Sequence, residues 1–286
     1  MDTLLDPQSY AGRTEEAEDV VSLGQVRRLA ATLDLGPSEA NAAGLVEGGD
    51  VPPLWHWLSF LPDTAHSGLG SDGHPARGSF LPPVPLERRM WAGGRLEFLG
   101  PVRIGEQLRR RSEITSVSSK QGKSGAMVFV TVRHAFETVR GLAVREEQDI
   151  VYVARPERFA PPPPTTLETA PAWREPVALD TVRLFRFSAV TFNAHRIHYD
   201  RTYAMEVEKY PGLVVHGPLQ AILLMEAARR RRGGAQPQSF VFRGVRPAFD
   251  FEELALVGQT RPDGAQDLHT VVGSDTVCMQ ARIAWA

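Results

Sequence analysis

The chain has 286 residues, 42% of them hydrophobic, with a formal net charge of −2, enough for a packed core in one large domain or two of about 140 residues and too evenly charged for a broad nucleic-acid footprint. Its single cysteine, Cys278, excludes an internal disulfide and a cysteine metal site. No apolar run approaches the ~20 residues that span a bilayer, and the acidic start MDTLLDPQSYAGRTEE lacks the basic-then-apolar pattern of a secretory signal, so a cytoplasmic protein without nucleic-acid or membrane partners is expected.

In SLGQVRRLAATLD, Leu23, Val26, Leu29, Ala30 and Leu33 share one helical face, and Ser22 and Gln25 stand at capping-box spacing. PPLWHWLSFL follows as a second, apolar helix candidate. Strands are predicted near 93–99, 106–118, 125–138 and 143–153, with SKQGKSG (118–125) as a hairpin turn. The stretch 155–176, RPERFAPPPPTTLETAPAWREP, has neither helical nor strand period, and its four consecutive prolines favour extended polyproline II. It divides the chain into halves, 1–155 and 177–286, joined through a proline-rich linker at 156–176.

The second half repeats the order of the first. A strand-like TVRLFRF (181–187) leads into SAVTFN, then DRTYAMEVEKYPG predicts a short helix with Asp200 at its N-cap. HGPLQAILLMEAARR (216–230) is apolar around most of its circumference, which predicts a buried helix with Pro218 at its first position. Strands are predicted near 239–245, 253–260, 267–273 and 276–285. Laid without gaps, AATLDLGPSEAN (30–41) covers AVTFNAHRIHYD (189–200): Thr32 meets Thr191, Asp34 meets Asn193 and Glu39 meets His198. An internal duplication is expected, with the histidines confined to the second copy.

FNAHRIHYD (192–200) concentrates the polar chemistry. Five residues on an ideal helix turn about 500°, which leaves two side chains about 140° apart. Asn193 and His198 therefore converge only if a helix ends near Asn193 and a turn continues to His198. The residues alone leave alternatives open. His198 is a base or a core-bonded histidine, His195 an orienting group or polar surface, and Tyr199 packing or a substrate contact. Asp200 is a cap or an acid, and Arg196 a ligand for a distal carboxylate or a solvated cation. The pair His195–His198 lacks a third ligand of clear geometry, so no metal is expected. Farther on, the first N–H groups of a helix have no internal partner and lie at the positive end of its dipole. Gly217 thus offers an oxyanion donor or is an ordinary helix start. Arg229–Arg232, at the far end of that helix, suit either the dipole or CoA phosphates. No phosphate-cradling loop of the dinucleotide or P-loop type and no Gly-x-Ser-x-Gly elbow is present.

Asn193, His195, His198 and Asp200, followed by His216-Gly217-Pro218, resemble the pattern of the hot-dog hydratases and dehydratases of the MaoC type, the R-specific enoyl-CoA hydratases. In those enzymes an Asp is followed by an Asn two residues on, a His five residues after the Asp, then x-Asp, and a His-Gly opens the central helix. FRFSAVTFNAHRIHYDRTYA, GLVVHGPLQAILLMEAARR and PLERRMWAGGRLEF (85–98) are similar to a two-copy subgroup. It includes mesaconyl-C4-CoA (3-methylfumaryl-CoA) hydratases, itaconyl-CoA hydratases and the mitochondrial 3-hydroxyacyl-ACP dehydratase.

The resemblance implies an α+β double hot-dog, two copies of a long helix wrapped by a curved antiparallel sheet, with one active site and an acyl tunnel between a degenerate N-terminal half and a catalytic C-terminal half. It implies reversible hydration of a 2-enoyl-CoA, with a short branched dicarboxylic acyl group such as mesaconyl-C4-CoA or itaconyl-CoA giving citramalyl-CoA. His198 would carry the protons, Asn193 would hold the water, and the Gly217 N–H would meet the thioester oxygen. His195, Arg196, Tyr199, His216, Arg88 and Trp91 are the expected substrate contacts. No cofactor is expected, CoA being part of the substrate, and a homodimer is the expected assembly. One departure stands out: the general pattern has Asp where this chain has Asn193, and an amide cannot take a proton near neutral pH. Rival readings are a 3-hydroxyacyl-ACP or -CoA dehydratase of fatty-acid metabolism, a hot-dog thioesterase, and a non-catalytic acyl-CoA-binding protein.

Overall fold

The computed structural model describes residues 7–122 and 125–286. The first half runs β1 (Thr14–Val20), α1 (Leu23–Thr32), α2 (Pro37–Ala42), a 3-10 turn at Trp55–Leu58, then β2 (Arg88–Phe98), β3 (Gln107–Gly122), β4 (Gly125–Thr138) and β5 (Gly141–Val153). The second runs β6 (Trp173–Val177), α3 (Thr181–Val190), a 3-10 turn at Arg196–His198, a π-turn at Tyr203–Val207 and α4 (Gly217–Arg231). It ends with β7 (Pro237–Gly244), β8 (Leu254–Thr260), β9 (Gln266–Val272) and β10 (Thr276–Trp285).

All ten strands form one antiparallel sheet in the order β1-β3-β4-β5-β2-β7-β10-β9-β8-β6. Read outward from the β2–β7 seam, the two halves have the same topology, which bears out the internal duplication. The echo reaches single side chains. Thr32 Oγ1 donates to the Arg28 carbonyl at 2.8 Å, and its counterpart Thr191 Oγ1 donates to the Phe187 carbonyl at 2.7 Å. At the seam, Gly93 pairs with Arg243, and a Cβ there would lie 2.5 Å from the Phe242 carbonyl oxygen. The sheet wraps α4, which buries Leu219, Ile222, Leu224 and Met225.

The eight strands read from hydrophobic alternation are present within a few residues of their expected bounds. The hairpin expected over 118–125 closes with Gly122 opposite Gly125, its tip at 123–124 lying outside the described residues, as does the chain start at 1–6. Three readings are corrected. TVRLFRF is the body of helix α3, not a strand. Asp180 Oδ1 caps it by accepting from Arg183 N at 2.7 Å, and Leu184, Phe187 and Ser188 turn inward while Val182 and Phe185 stay exposed. The apparent alternation comes from an exposed apolar residue on each side of a helical stripe. Second, PPLWHWLSFL forms only the 3-10 turn Trp55–Leu58. Leu54 and Phe60, on either side of it, have left-handed φ values of 74° and 58°, which an α-helix cannot pass through. Among the described residues, the first half therefore lacks a counterpart to α4. Third, the connecting stretch is not structureless to its end, because its residues from Trp173 onward belong to edge strand β6, paired with β8.

The other edge strand, β1, reads TEEAEDV and carries no apolar alternation. Its acids face the arginines of β3, with Glu15 3.1 Å from Arg110 and Glu16 paired with Arg109. The arginines ending α4 are used similarly. Arg230 and Arg231 both reach Glu175 of β6, at 2.6 and 2.8 Å, and Arg231 stacks on Trp173. They fasten an edge strand. Among the described residues, no helix is long and apolar enough to cross a membrane.

Candidate active site

The structure holds a cavity of about 700 Å³ lined by residues of both halves. Aromatic groups including Trp57, Phe60, Trp91, Phe136 and Phe187 form much of its wall. Asn193, Ser188 and Pro218 of the second half meet Gly73 and His74 of the first there.

The second-half part follows from how α3 ends. Phe192 at φ 48° turns the chain out of the helix. Asn193 Oδ1 then accepts from His195 N at 3.0 Å, an Asx turn that leaves the amide NH2 available. The 3-10 turn that follows carries His198 into the interior. Its Nδ1 lies 2.7 Å from the Val214 carbonyl. A carbonyl only accepts, so Nδ1 holds the proton and Nε2 keeps its lone pair. The His198 ring stacks on His216, with centroids 3.7 Å apart, and meets His195 edge-on at 5.3 Å. His216 Nε2 is 2.9 Å from Ser188 Oγ. Burial pushes His198 down to about 4. It also lowers His216 and, with repulsion from His74 and His198, His195 far below the ordinary histidine value. The cluster is therefore neutral at physiological pH.

His74 lies on a loop of the first half that the sequence reading missed. Its ring is 4.1 Å from that of His195. Its Nδ1 donates to Asp72 Oδ2 at 3.0 Å and its backbone N to Asp72 Oδ1 at 3.0 Å. Burial alone would raise the Asp72 carboxyl, but the hydrogen bonds and charge of His74 hold it down to about 2. Burial lowers His74 against the pull of Asp72. The loop is tied down by Arg196 N donating to the Asp72 carbonyl at 2.9 Å. Gly73, at φ 90°, lies so close that a Cβ would sit 1.8 Å from the Ala194 carbonyl oxygen. Gly73→Ala is therefore expected to break the docking and lower stability by about 1–3 kcal/mol, read as a fall in the denaturation midpoint. An unchanged midpoint would show that the close approach is dispensable. Asp72, His74 and His195 bring ligand atoms within 4.8 Å of one another, a grouping distinct from the His195–His198 pair considered from sequence.

Elsewhere on the wall stand Arg110, His134 and Gln148. Behind them Glu146 is fully buried and accepts from His56 Nε2 at 3.0 Å, Trp57 Nε1 at 3.1 Å and Gln148 Nε2 at 2.8 Å. Burial would raise this carboxyl, and these donors overcome it and hold it low. Arg110 gives one nitrogen to Glu15, stacks on Phe60, and has a buried Nε without a protein acceptor. It supplies the only permanent charge on the described wall, which includes no carboxylate side chain.

Of the expected site residues, Asn193, Tyr199 and Trp91 reach the wall, and His195, His198 and His216 form the layer next to it. Tyr199 OH donates to the Ala194 carbonyl at 2.9 Å. Gly217 is the first residue of α4, beside wall residue Pro218, and a Cβ on it would meet only ordinary contacts at 3.9 Å with Met279 and Trp91. Two of the expected substrate contacts are engaged within the protein. Arg88 is spent on Glu208, at 2.8 Å to the carboxylate and 2.6 Å to the carbonyl, and stacks on Tyr210. Arg196 pairs with Asp200 at 2.8 Å, donates to the Ser71 carbonyl at 3.0 Å and stacks on Tyr203. Both guanidiniums brace the site. Asp200 is a cap, its Oδ1 accepting from Tyr203 N at 3.0 Å.

Comparison with known proteins places the chain in a family. The profile of the family described as hydroxyacyl-thioester dehydratase type 2 matches residues 54–250. The chain is 48% identical to mesaconyl-C(4)-CoA hydratase of Chloroflexus aurantiacus over 264 residues, covering 91% of this chain and 90% of that one. It is 28% identical to the mitochondrial hydroxyacyl-thioester dehydratase type 2 of Schizosaccharomyces pombe, over 72% of this chain and 77% of that one. Among solved structures, a MaoC-like dehydratase superposes with a TM-score of 0.71 at 14% identity, over 97% of this chain and 99% of that one.

Proposed function

The chain belongs to the hydroxyacyl-thioester dehydratase type 2 family, a double hot-dog fold, and from that premise we propose that it is a hydro-lyase catalysing reversible hydration of a 2-enoyl-CoA thioester. The substrate on this reading is a short branched dicarboxylic acyl-CoA of the mesaconyl-C4 kind, hydrated to citramalyl-CoA, with itaconyl-CoA as its isomeric relative. The observation that carries the chemistry is His198, neutral and fixed with its lone pair on Nε2, in the layer next to the cavity wall that Asn193 reaches. His198 takes a proton from a water that the Asn193 amide holds, and the water oxygen adds to the β-carbon. Negative charge moves onto the thioester oxygen, where the Gly217 N–H, unpartnered within its helix, stabilises it. Such a donor is typically worth roughly 2.7–4 kcal/mol in the transition state. These steps need no cofactor beyond the CoA of the substrate.

The wall supports an anionic acyl group, because Arg110 is its one permanent charge. If Arg110 reads the acyl carboxylate, Arg110→Met is expected to cut kcat/KM for mesaconyl-C4-CoA about tenfold to a hundredfold, the range for losing a charged hydrogen bond, and to leave crotonyl-CoA unchanged. An equal loss on both would assign Arg110 to the CoA moiety instead. The aromatic wall favours a second reading, a 3-hydroxyacyl dehydratase acting on a longer chain. Loss of enoyl-thioester absorbance with crotonyl-, long-chain enoyl-, mesaconyl-C4- and itaconyl-CoA separates the two: turnover of the dicarboxylates alone supports the first, and preference for the long chain replaces it with the second.

A further inference from the structure

Hydration moves two protons, one off water and one onto the α-carbon, and Asn193 leaves the loop without the carboxylate that would share them. Resting on the hydratase reading above, we propose that His74, held by Asp72, is a catalytic acid/base residue that the first half supplies to the site, exchanging the proton at the substrate α-carbon while His198 handles the water.

Three observations carry this. First, His74 is on the cavity wall together with Asn193, whereas His198 lies behind it. Second, the Asp72 carboxylate accepts from both the side chain and the backbone of His74, which fixes the proton on Nδ1 and leaves Nε2 as the exchanging nitrogen. A carboxylate behind an imidazole both orients it and stabilises the imidazolium when it forms. Third, the loop is docked on the catalytic turn through Arg196 and the close approach of Gly73 to Ala194. That seats the His74 ring beside His195, which in turn meets His198. Asp72 is the carboxylate of this cluster, a positioning residue.

The steps balance. In hydration an O–H bond of water breaks and its proton goes to His198 Nε2. A C–O bond forms at the β-carbon, and the alkene electron pair moves into the thioester as an enolate. The proton passes from His198 through His195 or solvent to His74 Nε2, whose transient imidazolium is paired with Asp72, and the enolate pair then takes it in a new C–H bond at the α-carbon. Both histidines are then neutral again for the next turnover. In dehydration, neutral His74 takes the α-proton, the proton passes back to His198 Nε2 through His195 or solvent, and His198 then protonates the departing hydroxyl.

The test uses the full chain with mesaconyl-C4-CoA, crotonyl-CoA and, for exchange of the α-proton in deuterium oxide, citramalyl-CoA. His74→Asn is expected to lower kcat and α-proton exchange by on the order of 10²–10³, within the roughly 10²–10⁴ of general acid/base catalysis, with KM little changed. Asn193→Asp added to His74→Asn is expected to restore at least about tenfold, by returning a carboxyl to the loop. Asp72→Asn is expected to give a smaller loss and a shifted pH profile. Should His74→Asn fail to fold by circular dichroism, His74→Gln is read in its place. A folded His74 variant with wild-type exchange overturns the proposal. So does activity lost to a chelator and restored by zinc, which would make Asp72 and His74 metal ligands. A wild-type protein inert toward every thioester overturns the hydratase reading and this proposal with it; an active wild type with an equally active His74→Asn overturns this proposal alone.

Discussion

His198→Gln is expected to lose about two to four orders of magnitude in kcat, the usual contribution of a positioned general base, while keeping its fold. The choice of glutamine matters. His198 does two things in the structure: Nδ1–H satisfies the Val214 carbonyl, and Nε2 offers a lone pair. A glutamine amide can still donate to that carbonyl but cannot accept a proton near neutral pH. His198→Ala removes both and leaves a buried acceptor unpaired, at a cost of about 1–3 kcal/mol. The proposed mechanism requires the two variants to be equally inactive and differently stable. If the glutamine variant turned over enoyl-CoA at the wild-type rate, His198 would be structural. If the wild type bound acyl-CoA without turning it over, a non-catalytic binding protein would be the better reading.

How much of this was legible follows from how local each signal is. The capping box was, because Ser22 and Gln25 are three residues apart and bond reciprocally. The strands and buried helix α4 were, because periodicity of 2 or around-the-clock apolarity is written in consecutive residues. The Asn193–His198 turn was legible as a departure from helix, and the matched pattern added its role. The rest depends on long-range contact. His56 meets Glu146 across 90 positions and Trp57 across 89, so nothing near either marks a polar cluster inside an apolar stretch. His74 stands in SDGHP, a loop by every local signal, and becomes part of the site only because Gly73 permits contact with Ala194. The edge strands escaped for another reason. β1 and β6 are paired on one side and largely solvated, and their stability comes from cross-strand ion pairs and aromatic stacking, not alternation.

Lowering the pH from 7 toward 4.5 is expected to destabilise the fold by several kcal/mol, before most carboxylates titrate. Burial pushes both His134 and His198 down from an ordinary value near 6.5 to about 4, and it lowers His74, His195 and His216 in the same direction. Between about pH 4 and 6.5 the unfolded chain therefore binds more protons than the folded one, so stability rises with pH through that window and is lost as pH falls through it. The difference between about 6.5 and about 4 corresponds to roughly 3 kcal/mol for each histidine, and two such contributions approach the ~5–15 kcal/mol that holds a typical domain together. Denaturant midpoints measured at pH 7.5, 6.5, 5.5 and 4.5 should fall steadily below 6.5, and a flat series would show that these histidines are solvated. His198→Gln supplies the internal control. It keeps the Val214 bond but binds no proton in either state, so its midpoint should fall less steeply than the wild type's, the gap closing by about 3 kcal/mol at the acid end. One substitution thus reads His198 twice, as a base through the loss of turnover and as a buried neutral imidazole through the slope of stability with pH.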